Sequence, residues 1–125
     1  MTNISPGQDL DLTFLNEIAD GSDEFIIESI DMFLNQVPEI LLIIDAGIAD
    51  KNWPAVASAA HKIKPSLGFF GMPLSQELIQ QVETMAKKDA PEPELLASKF
   101  FEARDIVTAN LKTLAGIKAD KEAGS

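Results

Sequence analysis

Apolar residues along most of the chain recur at alternating steps of three and four, the spacing of one face of an α-helix. The longest such series contains Ile26, Ile30, Phe33, Val37, Ile40, Ile44 and Ile48. Ser22 precedes this series as a plausible N-cap, with acidic residues in the turn that follows. Because the series continues across Pro38, it predicts one long helix kinked at the proline rather than two separate helices.

A shorter series after a turn at residues 50–52 predicts the next helix. It consists of Trp53, Val56, Ala60, Ile63, Leu67 and Phe70. Asn52 can cap this helix, and Pro54 lies in its first turn, where the missing N–H is not needed. At roughly 100° per residue, a second series with the same steps lies about 90° round the helix. Its members are Ala57, His61, Lys64, Gly68 and Gly71. His61 is therefore predicted to lie beside the core and not within it.

Three further amphipathic segments complete the predicted fold. The range Asp9–Ala19 is a short helix candidate, whose apolar side is formed by Leu12, Leu15, Ile18 and Ala19. The fourth helix carries Leu74, Leu78, Val82 and Met85, and the last carries Leu96, Phe100, Ala103, Val107, Leu111 and Leu114. We therefore expect an all-α protein, an antiparallel up-down-up-down four-helix bundle with an additional short N-terminal helix. Residues 1–8 are expected to form a flexible lead, 9–115 the bundle domain, and 116–125 a frayed or disordered tail.

Composition narrows the class of protein. A length of 125 residues with 46% hydrophobic content fits one folded domain. Cysteine is absent and there is one histidine, which argues against a disulfide framework and against a zinc site. The net charge of −10 and the pI of 4.4 argue against binding to nucleic acid or to an anionic membrane surface. No apolar run reaches the length of a membrane span and the first residues lack a basic signal start, so we expect a cytoplasmic protein.

His61 is the candidate reactive group. A neutral imidazole has a nitrogen lone pair that can act as a nucleophile, and Lys64 lies on the same helical face. Gly68 and Gly71 continue this face, where small residues would let another surface approach closely. Equally, the glycines could mark only the end of the helix, with His61 an inert surface residue. The spacing alone leaves both interpretations open.

The segment around His61 resembles the signature of the histidine-containing phosphotransfer (HPt) domain. The matching residues are Ala60, His61, Ile63, Lys64 and Gly71. The similarity extends over roughly residues 9–115, including the proline-containing helix and the short turn before the histidine helix. One position departs from the pattern, because the family most often has glycine after the lysine and this chain has Pro65. Proline there removes the backbone hydrogen bond to the His61 carbonyl and predicts a local kink.

The resemblance implies that His61 accepts a phosphoryl group from an aspartyl phosphate and that Lys64 stabilises its charge. The receiver domain would bring the metal, so the chain is expected to need no cofactor or metal of its own. It lacks a Gly-rich phosphate loop, so we expect a phosphoryl carrier without ATP binding or autokinase activity and not an enzyme. In the family, a polar side chain of the following helix often contacts the ring. Gln80, Gln81 and Glu83 are the candidates, and a carboxylate at Glu83 would orient the ring but repel a bound phosphate.

The expected partners are receiver domains of hybrid histidine kinases and of response regulators. They are expected to dock on the face around His61, with contributions from the first helix and the long proline-containing helix, and the protein is expected to be a monomer. Phe69 would either pack on the last helix after a local bend or contribute to an exposed apolar patch. The alternative function is a non-catalytic helical adaptor that binds a receiver or another signalling protein without being phosphorylated.

Overall fold

The computed structural model describes residues 9–124, and this part of the chain forms five helices. They are α1 (Thr13–Ala19), α2 (Asp23–Ala49), α3 (Trp53–Phe69), α4 (Pro73–Lys87) and α5 (Pro93–Gly124). Helix α3 packs on α2 and α4, α5 packs on α4 and α2, and α1 lies against α2. The predicted up-down-up-down bundle with a short additional N-terminal helix is confirmed. The predicted flexible lead, residues 1–8, lies outside the described residues.

Local capping sets the starts of the two central helices, as the sequence predicts. The Ser22 hydroxyl accepts a hydrogen bond from the Phe25 N–H at 3.1 Å, which satisfies a free donor at the start of α2. The Asn52 side chain accepts one from the Ala55 N–H at 3.3 Å at the start of α3. Helix α2 is continuous through Pro38, in agreement with the prediction of a single long helix.

The predicted apolar stripes form most of the core. Buried residues from the two central stripes include Ile26, Ile30, Phe33, Val37, Ile40, Ile44, Val56, Ala60, Ile63, Leu67 and Phe70. Trp53 and Ile48 are half-buried at the ends of their helices and pack against this core. Ile18 differs from the prediction, because the short helix α1 buries Leu15 and Ala19 and leaves Ile18 exposed.

Asp9 explains why α1 begins at Thr13 and not at residue 9. The Asp9 carboxylate is buried and accepts hydrogen bonds from the N–H of Leu74 at 3.0 Å and the N–H of Ser75 at 2.7 Å. It also accepts from the Ser75 hydroxyl at 2.8 Å, while the Asp9 carbonyl accepts from the Asn110 amide at 2.8 Å. Asp9 therefore caps α4 from a distant part of the sequence and connects it to α5.

The end of the chain also differs from the prediction. We expected residues 116–125 to be frayed or disordered, but α5 continues as a helix to Gly124, and Ser125 lies outside the described residues. Ile117 packs against the core, and Lys118 and Lys121 form ion pairs with Asp31 and Asp23 of α2, at 3.9 and 3.1 Å. These contacts stabilise the last turns along the first half of α2.

Helix α2 is long and apolar enough, by length and composition alone, to cross a membrane. The run of consecutive apolar residues in it is short, and its apolar character comes from residues on several sides of the helix. One side of α2 packs on α3 and α5 within the bundle, and a third of its most apolar window (33%) is buried there. Core helices of helical bundles commonly have this composition.

Gly71 permits the sharp turn between α3 and α4, which gives a first prediction. Its φ of +64° is in the left-handed region, and a Cβ there would overlap the backbone of Asp11. We expect Gly71→Ala to lower the free energy of unfolding by on the order of 2 kcal/mol or more, measured by urea denaturation.

The matched control is Gly116→Ala in α5, where a Cβ would meet no atom within 4 Å. Alanine is the better helix former, so this variant should gain up to about 1 kcal/mol. Equal losses in both variants would contradict the structural role assigned to Gly71.

Candidate functional site

His61 and Lys64 lie on the side of α3 that faces α4, where the two helices form a groove. The groove is lined by His61, Lys64, Pro65, Pro73, Gln76, Glu77 and Gln80. The His61 side chain is 72% exposed, while the Lys64 side chain is only 19% exposed. Helix α3 continues through both residues, and the exposure of His61 agrees with its predicted placement beside the core.

Glu83 is the polar residue of α4 that contacts the imidazole. Its Oε2 lies 3.0 Å from His61 Nδ1, and its side chain is only 2% exposed. The other two candidates make different contacts. Gln80 accepts a hydrogen bond from the Lys64 ammonium at 2.6 Å, and Gln81 donates one to Glu77 at 3.0 Å.

Two lysines complete the surroundings of Glu83. Lys64 Nζ lies 2.5 Å from Oε1, and Lys87 Nζ lies 2.9 Å from Oε2, one helical turn further along α4. Sequence reasoning did not identify Lys87 as part of the site. Its spacing of four residues from Glu83 was the available signal, because acidic and basic residues at that spacing pair on a helix surface.

The two lysines determine the ionisation of Glu83. Burial raises the pKa of the carboxyl group, but the hydrogen bonds and charges of Lys64 and Lys87 outweigh that effect. Together they lower the pKa of Glu83 from 4.5 to about 2. Glu83 is therefore a carboxylate at neutral pH and can only accept hydrogen bonds.

An ionised Glu83 determines which nitrogen of the neutral imidazole ring carries the hydrogen. When the ring is neutral, Nδ1 must carry the hydrogen in order to donate to the carboxylate, so the lone pair is on Nε2. The ring is largely exposed, so a partner can approach Nε2 from solvent. The arrangement thus presents an oriented nucleophilic nitrogen with an ammonium group close by.

The glycines that follow the histidine make contacts within the protein. A Cβ at Gly68 would lie 2.7 Å from the Gln76 amide nitrogen, which itself donates to the Lys64 carbonyl at 3.1 Å. Gly68 thus leaves room for a side chain of α4 to cross onto α3, and Gly71 forms the turn described above. Clearance for a partner at these two positions stays a prediction.

An apolar surface adjoins the site on the other side of α3. Phe69 is half-buried and packs edge-on against Phe14 of α1 at 5.6 Å and against Phe70 at 5.3 Å. A groove beside it is lined by Phe25, Ser29, Met32, Phe33, Gln36, Pro65, Ser66, Phe69 and Phe70. We call these residues the α2–α3 patch. Met32 is 58% exposed, and Pro65 belongs to both grooves, so the patch is continuous with the His61 site.

Among residues 9–124, no group of three or more histidine, cysteine, aspartate or glutamate side chains is arranged to hold a metal ion. The charged cluster in contact with His61 consists of the Glu83 carboxylate and the ammonium groups of Lys64 and Lys87, and Glu77 also lines the groove. This set suits the binding of an anion that arrives at the ring, because the ammonium groups supply positive charge.

Comparison with known proteins identifies relatives of this chain. The family model described as Hpt domain matches residues 28–116, more than half of the chain. The chain is 28% identical over 97 residues to the signal transduction histidine-protein kinase BarA of Shigella flexneri, covering 74% of this chain and 11% of that protein. It therefore spans about a tenth of the length of this curated relative. The solved HPT domain of a sensor hybrid histidine kinase from Shewanella has the same fold, with a TM-score of 0.75 at 21% identity, covering 90% of this chain and 95% of that one.

The lowered pKa of Glu83 predicts a pH-dependent contribution to stability. A carboxyl group with a lower pKa in the folded than in the unfolded protein stabilises the fold above its unfolded pKa. For Glu83 this contribution is fully present above about pH 4.5 and is lost as the pH falls toward 2. We expect wild type to exceed Glu83→Gln in free energy of unfolding by on the order of 1–3 kcal/mol at pH 6.

Chemical denaturation of both proteins between pH 2 and 6 would measure this difference. It should shrink steadily below pH 4.5, because protonated Glu83 and glutamine are both neutral. A difference that stays constant over this range would contradict the ion pairs assigned to Glu83.

Proposed function

The chain belongs to the Hpt domain family, whose role is phosphotransfer in two-component signalling, and on this premise we propose that His61 is its phosphoryl-accepting residue. The phosphoryl group would come from an aspartyl phosphate of one receiver domain and pass to another receiver domain. The observation that carries the proposal is the contact of 3.0 Å between His61 Nδ1 and the buried Glu83 carboxylate. This contact leaves the nucleophilic lone pair on the exposed side of the ring.

The transfer step balances without an additional acid or base. The Nε2 lone pair attacks phosphorus, and the bond between phosphorus and the aspartate oxygen breaks, so the electron pair leaves with the receiver's carboxylate. Nδ1 keeps its hydrogen throughout. The resulting N-phosphoimidazolium ring carries a positive charge beside Glu83, which stabilises that charge. Transfer to the second receiver is the same step in reverse, with its aspartate as the nucleophile.

The ring separates the two negative groups of the phosphorylated state. Glu83 is bound at Nδ1, whereas the phosphoryl group forms its bond at Nε2 on the other side of the imidazole. Lys64 lies three residues from His61 on the same face of α3. Its flexible side chain can turn toward the phosphoryl oxygens and stabilise their charge, which is the main requirement of phosphoryl transfer.

The α2–α3 patch is the surface that we assign to the receiver. It is apolar, partly exposed and continuous with the His61 groove through Pro65. A partner that covered it would bring its own aspartate close to Nε2. Phe14 of α1, 50% exposed, extends the patch in the direction expected for a contribution of the first helix.

The proposed function assigns different roles to the receiver and to this chain. The receiver supplies the metal ion and the acidic residues, and the HPt chain acts as a carrier without autokinase activity. A monomer in the cytoplasm suffices for this role, because a single chain contains His61, Glu83 and the proposed docking surface. The rival function is an adaptor that binds a receiver through the α2–α3 patch without accepting phosphate.

One test of the proposed function concerns the assignment of His61 as the phosphoryl acceptor. Labelled phosphate should pass from a phosphorylated receiver of the same organism to the wild-type protein but not to His61→Gln. The product should be labile in acid and stable in alkali, as expected of phosphohistidine. Because His61 is 72% exposed, the variant should keep its helical circular dichroism spectrum and its melting behaviour. Receiver binding without transfer to the wild type would favour the adaptor.

Another test concerns the proposed docking surface. Met32→Glu places a charge in the α2–α3 patch, and burial of an unpaired carboxylate against a partner is unfavourable. We expect the rate of transfer at sub-saturating receiver concentration to fall about tenfold or more, which corresponds to about 1.4 kcal/mol.

The matched control is Leu42→Glu, which adds the same charge to the same helix. Leu42 is 68% exposed and lies in a different groove, between α2 and α5. It should leave transfer close to that of the wild type. Similar losses in both variants would indicate a general effect of charge and contradict docking at the patch.

A further inference from the structure

Lys87 belongs to the charged cluster around Glu83, and the proposed function gives it no role. Its ammonium group lies 2.9 Å from Glu83 Oε2, the same oxygen that contacts His61 Nδ1. Its side chain is 63% exposed, whereas Lys64 is 19% exposed and contacts the other oxygen, Oε1. Lys87 and Glu83 both belong to α4, so their ion pair does not depend on the position of α3.

A phosphoryl group on His61 would change the charge balance of this cluster. It carries about two negative charges at neutral pH. Lys64 is the cation on the same helix face as His61, and its turn toward the phosphoryl oxygens takes it away from Glu83. Glu83 is buried, and within residues 9–124 its Oε1 has no hydrogen-bond partner besides its ion pair with Lys64. A buried carboxylate without a counter-charge is strongly unfavourable.

We propose that Lys87 is a positioning residue for the phosphorylated state, holding the Glu83 carboxylate in place when Lys64 moves to the phosphoryl group. This inference rests on the proposed phosphorylation of His61. The negative charges of Glu83 and the phosphoryl group are then balanced by Lys87, Lys64 and the imidazolium ring. Without Lys87, one negative charge is left over at the site, and Glu83 competes with the phosphoryl group for Lys64.

The consequence is a shift in the transfer equilibrium. Lys87→Gln should disfavour phosphohistidine relative to the aspartyl phosphate of the receiver. Loss of one partly exposed ion pair predicts a change of about threefold to fivefold in the equilibrium ratio. The fold should persist, because the Lys87 side chain is largely exposed.

The experiment mixes each HPt variant with one phosphorylated receiver. The ratio of phosphohistidine to aspartyl phosphate is measured at equilibrium, before appreciable hydrolysis. Lys88→Gln is the matched control, since it removes the same charge from the next residue, which is exposed and directly follows α4. Lys87→Arg tests rescue, because it keeps the positive charge beside Glu83.

A second measurement separates a charge effect from a structural one. The titration of the Glu83 carboxyl carbon, followed by NMR in the unphosphorylated proteins, reports directly on its ion pairs. The pKa of Glu83 should be higher in Lys87→Gln than in the wild type, and unchanged in Lys88→Gln and Lys87→Arg. A Lys87 that only stabilised the end of α4 would leave this pKa unchanged.

The possible results separate the positioning role of Lys87 from the proposed phosphorylation of His61. A lower ratio and a raised Glu83 pKa in Lys87→Gln alone support the positioning role. A wild-type ratio in Lys87→Gln, or an equal loss in Lys88→Gln, overturns it while the proposed function stands. A wild-type protein that takes no phosphate on His61 from any receiver of its organism overturns the proposed function and this inference together.

Discussion

The buried carboxylate of Glu83 is the constraint on which the site depends. A charged group that is 2% exposed is stable only with partners, and Glu83 obtains them from two helices. Lys64 and His61 approach from α3, and Lys87 approaches from α4 itself. The requirement for counter-charge therefore fixes the relative position of α3 and α4 at the histidine. The same requirement keeps Glu83 ionised, so the folding constraint and the orientation of the imidazole have one physical cause.

A second buried acid holds the other end of α4. Asp9 accepts hydrogen bonds from the first N–H groups of this helix and, through its carbonyl, contacts Asn110 of α5. Helix α4 is thus fixed near its start by Asp9 and near its end by the ion pairs of Glu83. Both contacts join segments that are far apart in the sequence. Because α4 contributes the ring's hydrogen-bond partner, rigidity along the whole helix contributes to the position of Nε2.

The parts of the fold that could be predicted from the sequence are those that depend on local patterns. The apolar spacing predicted the core stripes of α2 and α3, and the caps at Ser22 and Asn52 depend on residues within one turn. The cap supplied by Asp9 could not be predicted, because the residues that it contacts lie 65 and 66 positions away. The helical end of α5 was missed for the same reason, since residues 116–124 are stabilised by contacts with α2 and not by an apolar stripe of their own.

The site could likewise be predicted only where its residues lie close together in the sequence. His61 and Lys64 share a helix, so their spacing indicated a common face, whereas the choice of Glu83 required knowledge of how α4 packs on α3. Pro65 connects the local structure of α3 to the proposed docking surface. Proline cannot donate the backbone hydrogen bond to the His61 carbonyl, yet α3 continues because Ile63 and Leu67 on either side are fully buried. The exposed proline ring adds apolar surface between the His61 groove and the α2–α3 patch. A partner that follows the apolar surface across this residue reaches the groove that contains the imidazole.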